Sequence, residues 1–273
     1  MTDIWVCGAC KSVNPRRASR CYKCHAPRPP AGEELLAVDT PVLQRTAVET
    51  AAGARGRKHT AIFAIVTIVL IAASMSFRWV SVIRSLDMLN GILAGSVPTN
   101  DEIVRIASQA LGYYAAGLLG TLAWGIWMGR VIANIPILGG GYPVVTPRTA
   151  ILESVIPLFN LFRVPAVLRD ITTRLSRTGA ADNALIAPWW LFLAGSIFIE
   201  RPIGSILLLF APDIETAYRW VVVLSLAAAV MTIFGGILAI AIVVRIERLQ
   251  LSRARDLLDA ADAATARQAA GPG

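Results

Sequence analysis

Four cysteines, the only ones in the chain, fall in the order Cys7-x2-Cys10, ten residues, Cys21-x2-Cys24. Two such knuckles offer four thiolates for a tetrahedral site, the donor set that Zn²⁺ prefers. Iron or a redox dithiol are the other chemistries open to the same residues. A segment this short cannot bury a core, so a bound metal would supply its folding free energy. His25 directly follows a complete cage and His59 lies far from it, and neither is expected to be a ligand.

A second set of polar residues stands inside apolar sequence. Glu153, Asn160, Arg163 and Arg169 interrupt one hydrophobic stretch, and the adjacent Glu200 and Arg201 interrupt another. Charges at membrane depth are functional candidates by default. Glu200 and Arg201 also suit the outer interface, with Arg201 snorkelling to the headgroups. No His-Glu-x-x-His, Gly-x-Ser-x-Gly or phosphate-loop pattern occurs, so a non-enzymatic protein is expected.

The elements that must position these residues are membrane helices. The 273-residue chain is 55% hydrophobic, 16% charged and has a mean hydropathy of +0.59. Four stretches approach the ~20 apolar residues that a span needs: about 60–79, 106–129, 187–207 and 220–244. The fold expected is an all-α integral membrane protein with these four spans, an interfacial or re-entrant helix pair over about 149–177, and a small zinc-binding β-hairpin module in front. Its domains would be a finger at 1–28, a flexible Pro/Gly/Ala-rich linker at 29–58, the membrane domain at 59–248, and a C-terminal helix and tail at 249–273. Gly117, Gly120, Gly235 and Gly236 read as ordinary close packing between spans.

The net charge of +8 is explained by loops that face a cytoplasmic leaflet. Arg55, Arg57 and Lys58 precede the first span. Arg130, Arg148, Arg163, Arg169, Arg174 and Arg177 lie between the second and third, and Arg245, Arg248, Arg253 and Arg255 follow the fourth. The other two connections offset Arg78, Arg84, Arg105, Arg201 and Arg219 with acids. Both termini are therefore expected in the cytoplasm, at the cell membrane. No secretory leader is read before the first span. Cytoplasmic thiols stay reduced, which disfavours a disulfide framework.

Trp5-x-Cys7-x2-Cys10-x3-Asn14-x6-Cys21-x2-Cys24 resembles the Ran-binding-protein type zinc finger. The resemblance implies two crossed hairpins sandwiching one structural zinc on Cys7, Cys10, Cys21 and Cys24, with Asn14 bracing the loop between the knuckles. Members of that family bind single-stranded RNA, ubiquitin or other proteins. The aromatic that RNA readers use for stacking is Pro15 here, and of their two arginine positions Arg17 fills one while Ala18 takes the other. Lys11-Ser12 replaces the Thr-Phe of ubiquitin binders. A contact edge of Trp5, Val13, Asn14, Arg16 and Arg17 is expected to meet a cytoplasmic protein, with RNA as the alternative. Arg16, Arg17, Arg20 and Lys23 also suit a merely solvated face beside anionic lipid.

Between the second and third spans, "ANIPILGGGYPVVTP" reads as a loop. Pro157 and Pro165 break the apolar run that follows, with Pro165 expected near the first turn of a second helix. On that helix Leu168, Ile171 and Leu175 form a stripe, and Arg169, Asp170, Arg174 and Arg177 face elsewhere. Pro157-x-x-Asn160, Val167-Leu-Arg-Asp-Ile171 and Trp189-Trp190 together resemble an actinobacterial multi-pass membrane family, domain of unknown function 4328, over roughly residues 60–250. The family's second proline would fall at Val164 and here sits one residue later. The resemblance implies a fold and a membrane location, and no reaction.

The reading that follows is an adaptor or regulator that recruits a cytoplasmic partner through the finger. A small-solute transporter or channel using Glu153, Asn160, Arg163, Glu200 and Arg201 is the alternative, and a membrane tether for single-stranded RNA is the next.

Overall fold

The computed structural model describes residues 4–7, 9, 13–15, 19–21, 26–28, 59–95, 99–141, 143–176, 183–199 and 203–269. At the front, β1 (Ile4–Val6) pairs antiparallel with β2 (Val13–Pro15), in a register that sets Trp5 opposite Asn14 and Val6 opposite Val13. A second reversal joins Arg20 to Pro27 in an isolated bridge. Cys21 N–H donates to the Ala26 carbonyl at 2.7 Å and Arg28 N–H to that of Ser19 at 2.9 Å.

The other regular elements of the described chain are helices: α1 (Ala61–Leu93), α2 (Asn100–Asn134), α3 (Pro147–Val155), α4 (Pro157–Leu175), α5 (Asn183–Phe198), α6 (Gly204–Leu209) and α7 (Ile214–Ala269). Three stretches are long and apolar enough to cross a bilayer: Ala61–Gly91, Leu111–Asn134 and Arg219–Ala263. The chain is a membrane protein. Helices are the expected solution for such segments, because a bilayer offers no water to satisfy backbone N–H and C=O groups. In α1 only a small share of the most apolar window is buried inside the protein, so Ile62, Ile65 and Val69 are left to face lipid. The apolar part of α5, Ala184–Phe198, is shorter than a full span. α7, at 56 residues, is about 84 Å long and outruns any bilayer.

The sequence reading ends the first span near residue 79, but α1 continues to Leu93. Between Arg78 and Leu93 there is no proline and a single glycine, so nothing stops the helix before Gly95, whose φ of +82° provides the left-handed cap. Arg78, read as a loop residue, is therefore buried on α1. Its guanidinium lies 5.3 Å from the Tyr113 ring centroid and donates to the Ser225 carbonyl at 3.2 Å, clasping α1, α2 and α7 together.

The dense core lies toward one end of the bundle. Trp127, Met128, Ile132 and Ile135 from α2 and the turn after it meet Leu168, Ile171 and Leu175 from α4, Ile186 from α5, and Ile242 and Ile246 from α7. The expected α4 stripe thus packs into the protein's own core. α3 lies directly on α2, and Gly129 permits it: a Cβ there would stand 2.8 Å from Ile151 Cγ1 and 3.0 Å from the Pro147 carbonyl oxygen.

Candidate functional site

In the N-terminal module Cys7 and Cys21, one from each reversal, are almost fully buried and form a single cluster with Ala26 packed against it. Cys10, Cys24, Arg16 and Arg17 lie outside the described residues, so the expected cage and basic edge are described only in part. Trp5, Val13 and Asn14 sit on the paired strands. Among the described residues no group of three potential metal ligands stands together, two of the four cysteines being outside them.

The polar residues of the membrane domain converge at the junction of α3 and α4. Pro157 forces Ile156 into an extended conformation (φ −78°, ψ 117°), which ends α3 and sets Pro157 at the first position of α4. Asn160 Nδ2 donates to the Ser154 carbonyl at 2.9 Å, satisfying one of the carbonyls that the break leaves. Glu153 Oε1 accepts from Arg163 Nε and Nη2, both at 3.1 Å. Glu153, Asn160 and Arg163 are thus brought together, while Arg169 is exposed on the outer side of α4. Glu200 and Arg201 lie outside the described residues.

Pro165 falls inside α4 and does not begin it. Its missing N–H would orphan the carbonyl four residues earlier, on Leu161. The Trp190 indole N–H from α5 donates to that carbonyl, which is how an internal proline is tolerated here. The Trp189-Trp190 pair therefore serves two neighbours, since Trp189 stacks on Trp124 at 5.8 Å between centroids.

Two further polar clusters escape the sequence reading. Glu247 on α7 accepts from Trp127 Nε1 (2.8 Å) on one oxygen and Thr60 Oγ1 (2.8 Å) on the other. One turn on, the buried Gln250 Oε1 accepts from the buried Asn134 Nδ2 at 3.0 Å. Glu247 ties the residue that opens α1 to α2 and α7. The available signal was spacing: Val243, Ile246, Gln250 and Ala254 recur at three and four residues and continue the buried face past the apolar run.

The second cluster holds the loop after α2, where Gly139 and Gly141 adopt φ of +72° and +71°. Asp170 Oδ2 accepts from the Val144 N–H at 2.9 Å, and Asp170 Oδ1 pairs with Arg174 Nε at 2.8 Å. Arg174 Nη1 reaches the Gly140 carbonyl at 3.3 Å and Arg253 Nε that of Leu138 at 3.2 Å.

A family profile described as "Domain of unknown function (DUF4328)" matches residues 91–248, more than half of the chain. The chain belongs to this family. The DUF4328 region runs from the last turn of α1 to just past Glu247, and it includes the α3–α4 junction, the glycine loop and Trp189-Trp190. The N-terminal module, Thr60 and the α7 extension beyond Arg248 fall outside the DUF4328 match. No curated protein and no solved structure matches the chain.

Proposed function

We propose that this DUF4328 protein is a non-enzymatic adaptor or regulator of the cell membrane, recruiting a cytoplasmic protein through a zinc-bearing N-terminal module. One observation supports this above the rest: the two N-terminal reversals bring Cys7 and Cys21 into one buried contact. Two thiols buried together from separate turns fit one wall of a four-sulfur site. Cys10 and Cys24 would complete it, and the metal would supply the folding free energy that so small a module lacks. Trp5, Val13, Asn14, Arg16 and Arg17 would then form the contact edge.

In this reading α5 and the residues after it make a fourth span, so that both termini lie in the cytoplasm. Arg130, Arg148, Arg169, Arg174, Arg245, Arg248 and Arg253 favour that orientation, since chain order puts them all toward one end of the bundle. The transporter alternative gains less support, because Asn160 is engaged with a backbone carbonyl and Arg163 with one oxygen of Glu153.

The test is crosslinking of the tagged protein in its native membrane, beside a Cys21→Ser/Cys24→Ser version, with protein and RNA both identified. The adaptor reading expects protein partners that disappear with the cage, together with loss of one zinc per chain by metal analysis. Captured RNA in their place would favour the tether. An identical partner set from both versions refutes recruitment through the module.

A further inference from the structure

The α3–α4 junction is a candidate site of its own, separate from the N-terminal module. α3 does not lie across the end of the bundle. Its first residue, Pro147, stands against Gly129 of α2, and Ser154, near its end, stands against Gly125. α3 therefore runs back along α2, from near the end of the Leu111–Asn134 span toward its middle. α4 then returns, meeting Trp190 at Leu161 and the glycine loop at Arg174. Ile156 stands at the turning point of this hairpin, at the end of α3 that lies toward the middle of the α2 span.

Three features of the turning point suit hydrocarbon. Leu152, Ile156 and Phe162 around it are large, apolar and exposed, at 62%, 43% and 65%. On α2, Leu122 and Ile126, which flank the Gly125 against which α3 packs, are exposed and apolar as well. Among the carbonyls released at the break, that of Ser154 accepts from Asn160, and the Leu161 carbonyl that Pro165 releases accepts from Trp190, so both of these are satisfied from within the protein. Water would do this for nothing at an aqueous surface, whereas lipid demands it. The charges at the same level, Glu153 and Arg163, neutralise each other.

At the shallow ends the outer face changes character. Arg148, the second residue of α3, precedes Leu152 by one turn, and Arg169 follows Phe162 by two turns of α4. Both are exposed, and no described residue pairs with either. The geometry points to an anionic-phospholipid site: the apolar turn is seated among acyl chains, and Arg148 and Arg169 hold headgroup phosphates at the surface of the same leaflet. Guanidinium suits phosphate through its planar fork of donors.

The protein reconstituted in vesicles of equal parts phosphatidylcholine and phosphatidylglycerol provides the test. With Phe162 replaced by photoreactive p-benzoylphenylalanine, illumination should yield chain–phospholipid adducts by mass spectrometry. Absence of lipid adducts, or adducts to a second copy of the chain, overturns the embedded turn. Separately, native mass spectrometry should find phosphatidylglycerol retained over phosphatidylcholine by the unlabelled protein. Arg148→Gln and Arg169→Gln should each reduce that preference about five-fold, and Arg255→Gln on the α7 extension should not. A preference unchanged in the Arg148→Gln/Arg169→Gln protein refutes the phosphate contacts.

Discussion

Removing the indole donor of Trp190 offers the sharpest check on how α4 accommodates Pro165. In Trp190→Phe the Leu161 carbonyl, on a buried residue, loses its donor and cannot recover one from residue 165. An unsatisfied buried acceptor costs about 1–3 kcal/mol, and the smaller ring of a half-buried side chain forfeits about 1 kcal/mol of packing. The single substitution should therefore cost about 2–4 kcal/mol, the sum of those two terms. Pro165→Ala restores an N–H that points at the same oxygen. In that background Trp190→Phe should cost only the packing part, giving a coupling of about 1–3 kcal/mol. Reversible unfolding by dodecyl sulfate in mixed micelles, followed by far-UV circular dichroism, measures all four proteins. Equal costs of Trp190→Phe in both backgrounds would refute the account, since the proline would then leave nothing for Trp190 to repair.

The same titration reads the Glu247 cluster. Glu247→Ala strands the Trp127 indole N–H and the Thr60 hydroxyl, and should cost about 2–4 kcal/mol, whereas Glu247→Gln keeps an acceptor and should cost less than half as much. Gly129→Ala should destabilise by about 1–3 kcal/mol, because the new methyl meets Ile151 and the Pro147 carbonyl at 3.0 Å or less and must part α3 from α2. For the glycine loop, Asp170→Ala should raise deuterium uptake at Val144 about tenfold, the value of one lost charge-assisted hydrogen bond, with little change in the spans.

The sequence was informative where one physical demand dominates. Long uncharged runs have to be membrane helices, so α1, α2 and α7 are legible, although their ends are not. Nothing in the apolar run alone says that α1 must pass residue 79, because the stop is the backbone angle of Gly95. The pause at Pro157 is legible from its steric effect on Ile156, whereas the fate of Pro165 is not. Whether an internal proline breaks a helix depends on a partner for Leu161, and that partner comes from another helix 29 residues away. Glu247 was hidden for a similar reason. Between Arg245 and Arg248 it looks like one charge of a solvated helix, and only the packing of α2 and Thr60 against α7 makes it a shared acceptor.

A pattern unites five of the polar side chains of the membrane domain. Asn160, Trp190, Arg174, Arg253 and Asp170 each bond to a backbone group where the helical ladder is broken or absent. In water such places are solvated without help, whereas in a low-dielectric setting every one needs a dedicated partner. A break such as the one at Ile156 therefore recruits polar residues nearby, and in a sequence these resemble the lining of a solute path. The two uses make different demands on geometry. A path needs side chains turned toward a shared space and able to exchange partners, whereas a brace needs them fixed on one partner each. Asn160 has a fixed partner on Ser154, and Arg163 has its own on Glu153. On that criterion Asn160 and Arg163 act as braces at the α3–α4 break, and the charge left over for an outside ligand is carried by the exposed arginines at the ends of the hairpin.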